Sequence, residues 1–136
     1  MKPTVKVALS ALLLLSTSQL FAGDSKVSLT GKEEVPAVET AATGTGTITV
    51  GADKSISGSV TTKGVEGVAA HIHHAAAGKN GPPIVALEKT GDGVWSVPKG
   101  SKLTEEQVAA YKAGELYVNV HSAAHKGGEI RAQIKP

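Results

Sequence analysis

With 136 residues, no cysteine and a formal charge of +2, the chain is sized for one domain and must hold itself together without disulfides. Lys2 and Lys6 account for the excess charge, so everything from Gly23 onward is formally neutral and free of like-charge runs. Such a balance gives no basis for a nucleic-acid partner or an anionic lipid surface.

The opening has the form of an export signal. Met1 to Lys6 is short and basic, Val7 to Leu15 is apolar, and small or polar residues follow from Ser16 to Gln19. The apolar run is well short of the roughly 20 residues of a membrane span, as expected of a peptide that is removed. Cleavage is expected after Ala22 or within a residue or two of it, since Leu20 is larger than usual for its place. Residues 1–22 are then the signal peptide and 23–136 the mature domain, periplasmic or secreted. No cysteine follows to carry a lipid, so no membrane anchor is expected.

Lys26 to Thr30 alternates apolar and polar and reads as a strand, after which Lys32 to Thr40, with Pro36, reads as a connection along the sheet edge. Thr43 to Val50 alternates again, the threonines on one face and Gly44, Gly46, Ile48 and Val50 on the other. Turn chemistry in Gly51 to Lys54 joins it to Ser55 to Thr62 as a hairpin. Val68 to His74 is the next strand, followed by the loop Ala75 to Pro82. Pro83 to Leu87 and Val94 to Val97 read as short strands about Gly91-Asp92-Gly93.

One helix is expected, from Glu105 to Ala113. Thr104 is a suitable N-cap with Gln107 three residues on, Leu103 and Val108 can form a hydrophobic staple, and Gly114 supplies a stop. Glu115 to His121 and Glu129 to Lys135 complete seven or eight strands, joined by Ser122 to Gly128. The fold expected is an all-β antiparallel β-sandwich, Ig-like or superoxide-dismutase-like, with one short helix; a small barrel is the alternative.

The five histidines fall in two places, His71-Ile72-His73-His74 and His121 to His125. On a strand, residues two apart share a face, so His71 and His73 project together while Ile72 points into the opposite layer. A third imidazole from a neighbouring strand, His121, would complete a set suited to copper or zinc. A strand histidine is also commonly surface decoration, and that reading stands beside the metal. His125 is an auxiliary candidate in a loop, and His74 faces away from the pair.

Carboxylates offer less. Glu33 and Glu34 are adjacent and diverge, Glu105 and Glu106 complement the first helical turn, and Glu129 with Arg131 forms a candidate surface pair. Phosphate loops, dinucleotide fingerprints and nucleophile elbows are lacking.

Three groups of residues resemble one family, the CHRD domain. They are Leu29-Thr30-Gly31 with Glu34-Val35-Pro36; Ala70-His71-Ile72-His73 with Gly78-Lys79-Asn80-Gly81-Pro82; and Gly114 to His121 with Gly128-Glu129-Ile130-Arg131. The resemblance implies an exported, bacterial-type, single-domain β-sandwich and maps the family's histidine motifs onto His71, His73 and His121. It supplies no established reaction. His74, where glycine is more typical, and His125-Lys126, where Asn-Pro is common, depart from the pattern and add possible donors. A looser likeness to copper–zinc superoxide dismutase rests on the His-x-His strand; the disulfide cysteines and the histidines for a second metal are lacking.

The expected function is a non-enzymatic copper- or zinc-binding module using His71, His73, His121 and His125, with the metal ion and another exported protein as its partners. The alternatives are an extracellular adhesion or protein-interaction module without metal, and a copper-dependent redox protein.

Overall fold

The computed structural model describes residues 23–136; the expected signal peptide, residues 1–22, lies outside the described residues. The strands are β1 (Gly23–Thr30), β2 (Thr43–Val50), β3 (Ile56–Lys63), β4 (Gly67–His74), β5 (Pro83–Ala86), β6 (Glu88–Gly91), β7 (Val94–Ser96), β8 (Leu116–Ser122) and β9 (Ile130–Ile134). A short 3-10 turn, Gly31–Glu33, follows β1, and the helix α1 (Glu105–Lys112) precedes β8. No helix among the described residues is long and apolar enough to cross a membrane.

The strands run in the order β5-β4-β8-β9-β1-β2-β3-β7-β6, and every pairing is antiparallel. Between β9 and β1 the ladder narrows to the single pair Thr30 and Arg131. Two layers result, β5-β4-β8-β9 against β1-β2-β3-β7-β6. The outermost strands are consecutive in the chain, separated by Leu87 alone, so the sheet curls back until its ends belong to one segment. This is the expected all-β sandwich, nearly closed as a barrel.

Alternation builds the core. Leu29, Ile48, Val50 and Val60 meet Ile72, Leu116, Val118, Val120, Ile130 and Ile134, all fully buried, and each such side chain contributes roughly 1.5–3 kcal/mol by leaving water. The threonines of β2 and Ser57, Ser59 and Thr61 of β3 occupy the other face, as the period of two requires, while Thr62 shares the inner face with Val60 and is buried.

Two elements differ from the sequence reading. Val94–Ser96 pairs not with Pro83–Ala86 but with Glu88–Gly91, while β5 pairs with β4. Leu87 is the reason: it is buried, its N–H donates to the Ala70 carbonyl at 2.9 Å, and the chain changes layers there. Charged Glu88 and Lys89 suit the exposed edge strand that follows. The connection from Gly31 to Ala42 does not follow a sheet edge either. It passes over the outer side of β8 and β9 and buries Glu34.

The helix begins as its sequence predicts. Thr104 Oγ1 accepts from the Gln107 N–H at 3.1 Å, and Gln107 Oε1 accepts from the Thr104 N–H at 2.9 Å. Tyr111, on the inner side of the helix, is wholly buried and reaches Ser25 Oγ at 3.2 Å, tying α1 to the first strand. Thr104→Ala removes both halves of the cap and is expected to lower the unfolding free energy by about 1 kcal/mol. Thr45→Ala, on the exposed face of β2, should stay within about 0.5 kcal/mol of the parent. Urea denaturation of both variants checks this, and circular dichroism should show mainly β signal throughout.

Candidate metal centre

Strand alternation places the histidines. Because β4 sends Ala70 and Ile72 into the core, His71 and His73 emerge on the outer face. In β8, Leu116, Val118 and Val120 point inward, leaving Tyr117, Asn119 and His121 on that same outer face. The register sets His71 opposite Asn119, His73 opposite Tyr117 and Ala69 opposite His121. His121 therefore lies diagonally across from His71, and the three rings converge.

His71 Nδ1 is 3.0 Å from His121 Nε2. The ring centroids are 5.0 Å apart for His71 and His121, 5.6 Å for His71 and His73, and 5.8 Å for His73 and His121. One ligating nitrogen from each histidine lies within 4.8 Å of the others. Nitrogens bound to one ion at about 2.0–2.1 Å are no more than about 4 Å apart, so the rings need close by under ~1 Å to share an ion.

Backbone carbonyls fix two of the tautomers. His73 Nδ1 lies 3.0 Å from the Gly81 carbonyl, and His121 Nδ1 lies 2.8 Å from the Lys126 carbonyl. A carbonyl only accepts, so each Nδ1 carries its proton and each neutral ring keeps an Nε2 lone pair free. Between His71 and His121 the imidazole of His71 must then donate, through Nδ1. Ligation by that atom requires His71 to carry its proton on Nε2 instead. The buried His73 Nε2 has no hydrogen-bond partner, which suits a lone pair reserved for an ion.

Burial pushes the His73 pKa below its ordinary value of 6.5; the hydrogen bond to Gly81 opposes the shift and the nearby His121 adds to it. His71 is lowered as well, first by burial and then by the like charges that His121 and His73 would carry. Both rings are thus biased toward the neutral form that binds a metal.

Two loops cover this outer face. Arg131 is fully buried, donates from Nη1 to Asn80 Oδ1 at 3.0 Å and from Nη2 to the Lys79 carbonyl at 2.7 Å, and lies 3.5 Å above the centre of the Tyr117 ring. Tyr117 in turn stacks on His73 with 4.7 Å between centroids and 3° between planes. Asn119 Nδ2 donates to the Gly127 carbonyl at 3.3 Å. Gly128 has φ of +123°, and a side chain there would overlap Glu34 Oε1 and Asn119 Nδ2, so the close approach of this turn requires glycine.

The expected surface pair of Glu129 and Arg131 does not form. Arg131 lies under the Lys79–Asn80 loop, and Glu129, also buried, accepts from Thr40 Oγ1 and Ser122 Oγ, each at 2.8 Å. Glu34, read from the sequence as diverging from its neighbour Glu33, is 5% exposed and lines a cleft with His73 and His121. Burial raises its pKa to about 7, against the lowering pull of the Asn119 amide and the Arg131 charge. Period-two spacing of Tyr117, Asn119 and His121 could have marked Tyr117 and Asn119; Glu34 was marked only by the Glu34-Val35-Pro36 resemblance, which gave it no role.

His71, His73 and His121 come together, and His125 does not join them. It occupies the Ser122–Gly128 turn and lines the same cleft. His74 points elsewhere, with Nε2 3.6 Å from Glu115 Oε2.

The profile of the CHRD domain matches residues 25–134. No curated protein and no solved structure matches the chain.

The lowered pKa values have a measurable sign. Unfolded, His71 and His73 titrate near 6.5; folded, they titrate lower, so the unfolded chain binds more protons in that window. These two groups therefore make the native state lose stability as pH falls below about 6.5. Imidazole resonances followed by NMR in metal-free protein should give midpoints below 6.5 for both. A midpoint at or above that value for either ring contradicts the geometry.

Proposed function

This chain belongs to the CHRD domain family, and from that premise and the convergence of its three outer-face imidazoles we propose that it is an exported metal-binding module holding one copper or zinc ion on His71, His73 and His121. The observation that carries the reading is the convergence of one nitrogen from each of the three rings within 4.8 Å, with Nδ1 of His73 and of His121 held by backbone carbonyls so that their Nε2 lone pairs are left free. Three imidazoles without a thiolate or a carboxylate among them favour copper, the strongest binder of the divalent series at nitrogen sites. Zinc is the second candidate.

Adhesion through an apolar patch finds less support. Among the described residues, Val68 is the large hydrophobic side chain left exposed, and scattered single residues need no partner. Copper-dependent redox chemistry is the second reading, supported by the cleft that opens beside His73 and His121. The reading of the first residues as a signal peptide assigns the domain to the periplasm or the extracellular space, where the ion would be met.

Isothermal titration of the mature protein with Cu(II) tests the assignment. Wild type should bind one ion. His121→Ala should weaken binding by about 100-fold or more, the upper end of what disturbing even an outer hydrogen bond to a ligand costs, and His74→Ala should leave affinity nearly unchanged. Binding confined to the folded state should also raise the melting temperature, by the equivalent of about 2.7 kcal/mol at a free metal concentration 100 times Kd. Equal affinity and stoichiometry in wild type and His121→Ala would place the ion elsewhere.

A further inference from the structure

Asn80 ties three parts of the outer face together through one side chain. Arg131 Nη1, on β9, donates to its Oδ1 at 3.0 Å, and its Nδ2 donates at 2.7 Å to the Val35 carbonyl in the segment after β1. A guanidinium only donates and a carbonyl only accepts, so the amide has one orientation here. Aspartate in its place would lose the bond to Val35, and lysine the bond from Arg131. The third link runs through the next residue. The Gly81 carbonyl accepts from His73 Nδ1 at 3.0 Å, and the Gly81 N–H donates to Tyr117 Oη at 3.2 Å. A side chain at Gly81 would overlap the His74 carbonyl, so this backbone lies directly against β4. Beyond it, the Pro82 carbonyl accepts from the His74 N–H at 3.1 Å and ties that side of the loop down. The near side is held by two bonds from Arg131, to Asn80 Oδ1 and to the Lys79 carbonyl.

Resting on the metal reading above, we propose that Asn80 is a positioning residue of the metal centre: joined to Arg131 and Val35, it holds the Gly81 carbonyl against His73, keeping the proton on Nδ1 and leaving Nε2 free for the ion. It acts through Gly81 rather than as a ligand. A carbonyl selects a tautomer only while it stays within hydrogen-bond reach of the ring, so the place of residues 79 and 80 decides whether His73 keeps its proton where it is. The Asn80 side chain is itself exposed. Its removal leaves no cavity in the core, and the effect on the site can be separated from an effect on the fold.

Nitrogen-15 NMR of the imidazoles in metal-free mature protein, at a pH well above 6.5 where the ring is neutral, reads the tautomer directly. Wild type should show His73 protonated at Nδ1. Asn80→Ala should show His73 as a mixture of both neutral tautomers, and its Cu(II) affinity by isothermal titration should fall roughly tenfold, the lower end of what losing an outer partner of a ligand costs. Asn80→Asp still accepts from Arg131 and should hold the wild-type tautomer. A merely structural Asn80 would lower the melting temperature of the Ala variant and leave His73 protonated at Nδ1 as in wild type; that result overturns the inference. So does an Asp variant with the same mixture as Ala, or equal copper affinity in wild type and Asn80→Ala. If wild type takes up no copper, the metal reading fails, while the tautomer comparison still decides whether Asn80 positions His73.

Discussion

A guanidinium without water must find other partners for its charge and its donors, and the outer face of the four-stranded layer is organised around Arg131 meeting that requirement. Its nitrogens hold Asn80 and the Lys79 carbonyl, and its face lies on Tyr117. Holding Asn80 positions Gly81, whose carbonyl fixes the proton of His73. The Tyr117 ring beneath the guanidinium stacks against the other side of the same imidazole. One buried cation thus sets both the tautomer and the orientation of a proposed ligand. Breaking one side of such an arrangement is far more costly than its net contribution suggests, because an uncompensated charge remains.

The sandwich makes this possible by separating two chemistries across one strand. In β4 and β8 the inward residues are aliphatic and fill the core, while the outward ones are histidine, tyrosine and asparagine. Left to solvent, those outward residues would be an unremarkable polar surface. Covered by the segment after β1 and by the loop after β4, they become a partly desolvated site in which imidazoles favour their neutral form. The fold supplies rigid strands for the ligands and loops for their cover, which is the division of labour a preorganised site needs.

What could be read in the sequence was whatever depended on local period. Alternation revealed most strands, the Thr104 to Gln107 spacing revealed the helix start, and His-x-His with a strand-terminal His121 revealed the set of imidazoles that the structure brings together. Glu34 and Arg131 stood within the segments that resemble the CHRD domain, but their burial and partners were hidden, because these depend on distant loops that local period does not report. Glu34 follows Glu33 as exposed acids commonly do, yet one is buried and the other is not. Leu87 shows the same limit from the other side. A strand of uniform appearance changes layers at that residue, and only the closure of the whole sheet explains where it turns.

The account's central claim is that three outer-face imidazoles, two of them fixed by backbone carbonyls, form one metal site. Anomalous diffraction at the copper edge from crystals of the copper-loaded mature protein addresses it directly. The account predicts a single strong peak about 2.0–2.1 Å from His71 Nδ1, His73 Nε2 and His121 Nε2, with the Gly81 and Lys126 carbonyls still bound to the opposite nitrogens of His73 and His121. A peak at His74, at His125 or at the amino terminus, with the three rings arranged as they are without metal, would contradict it.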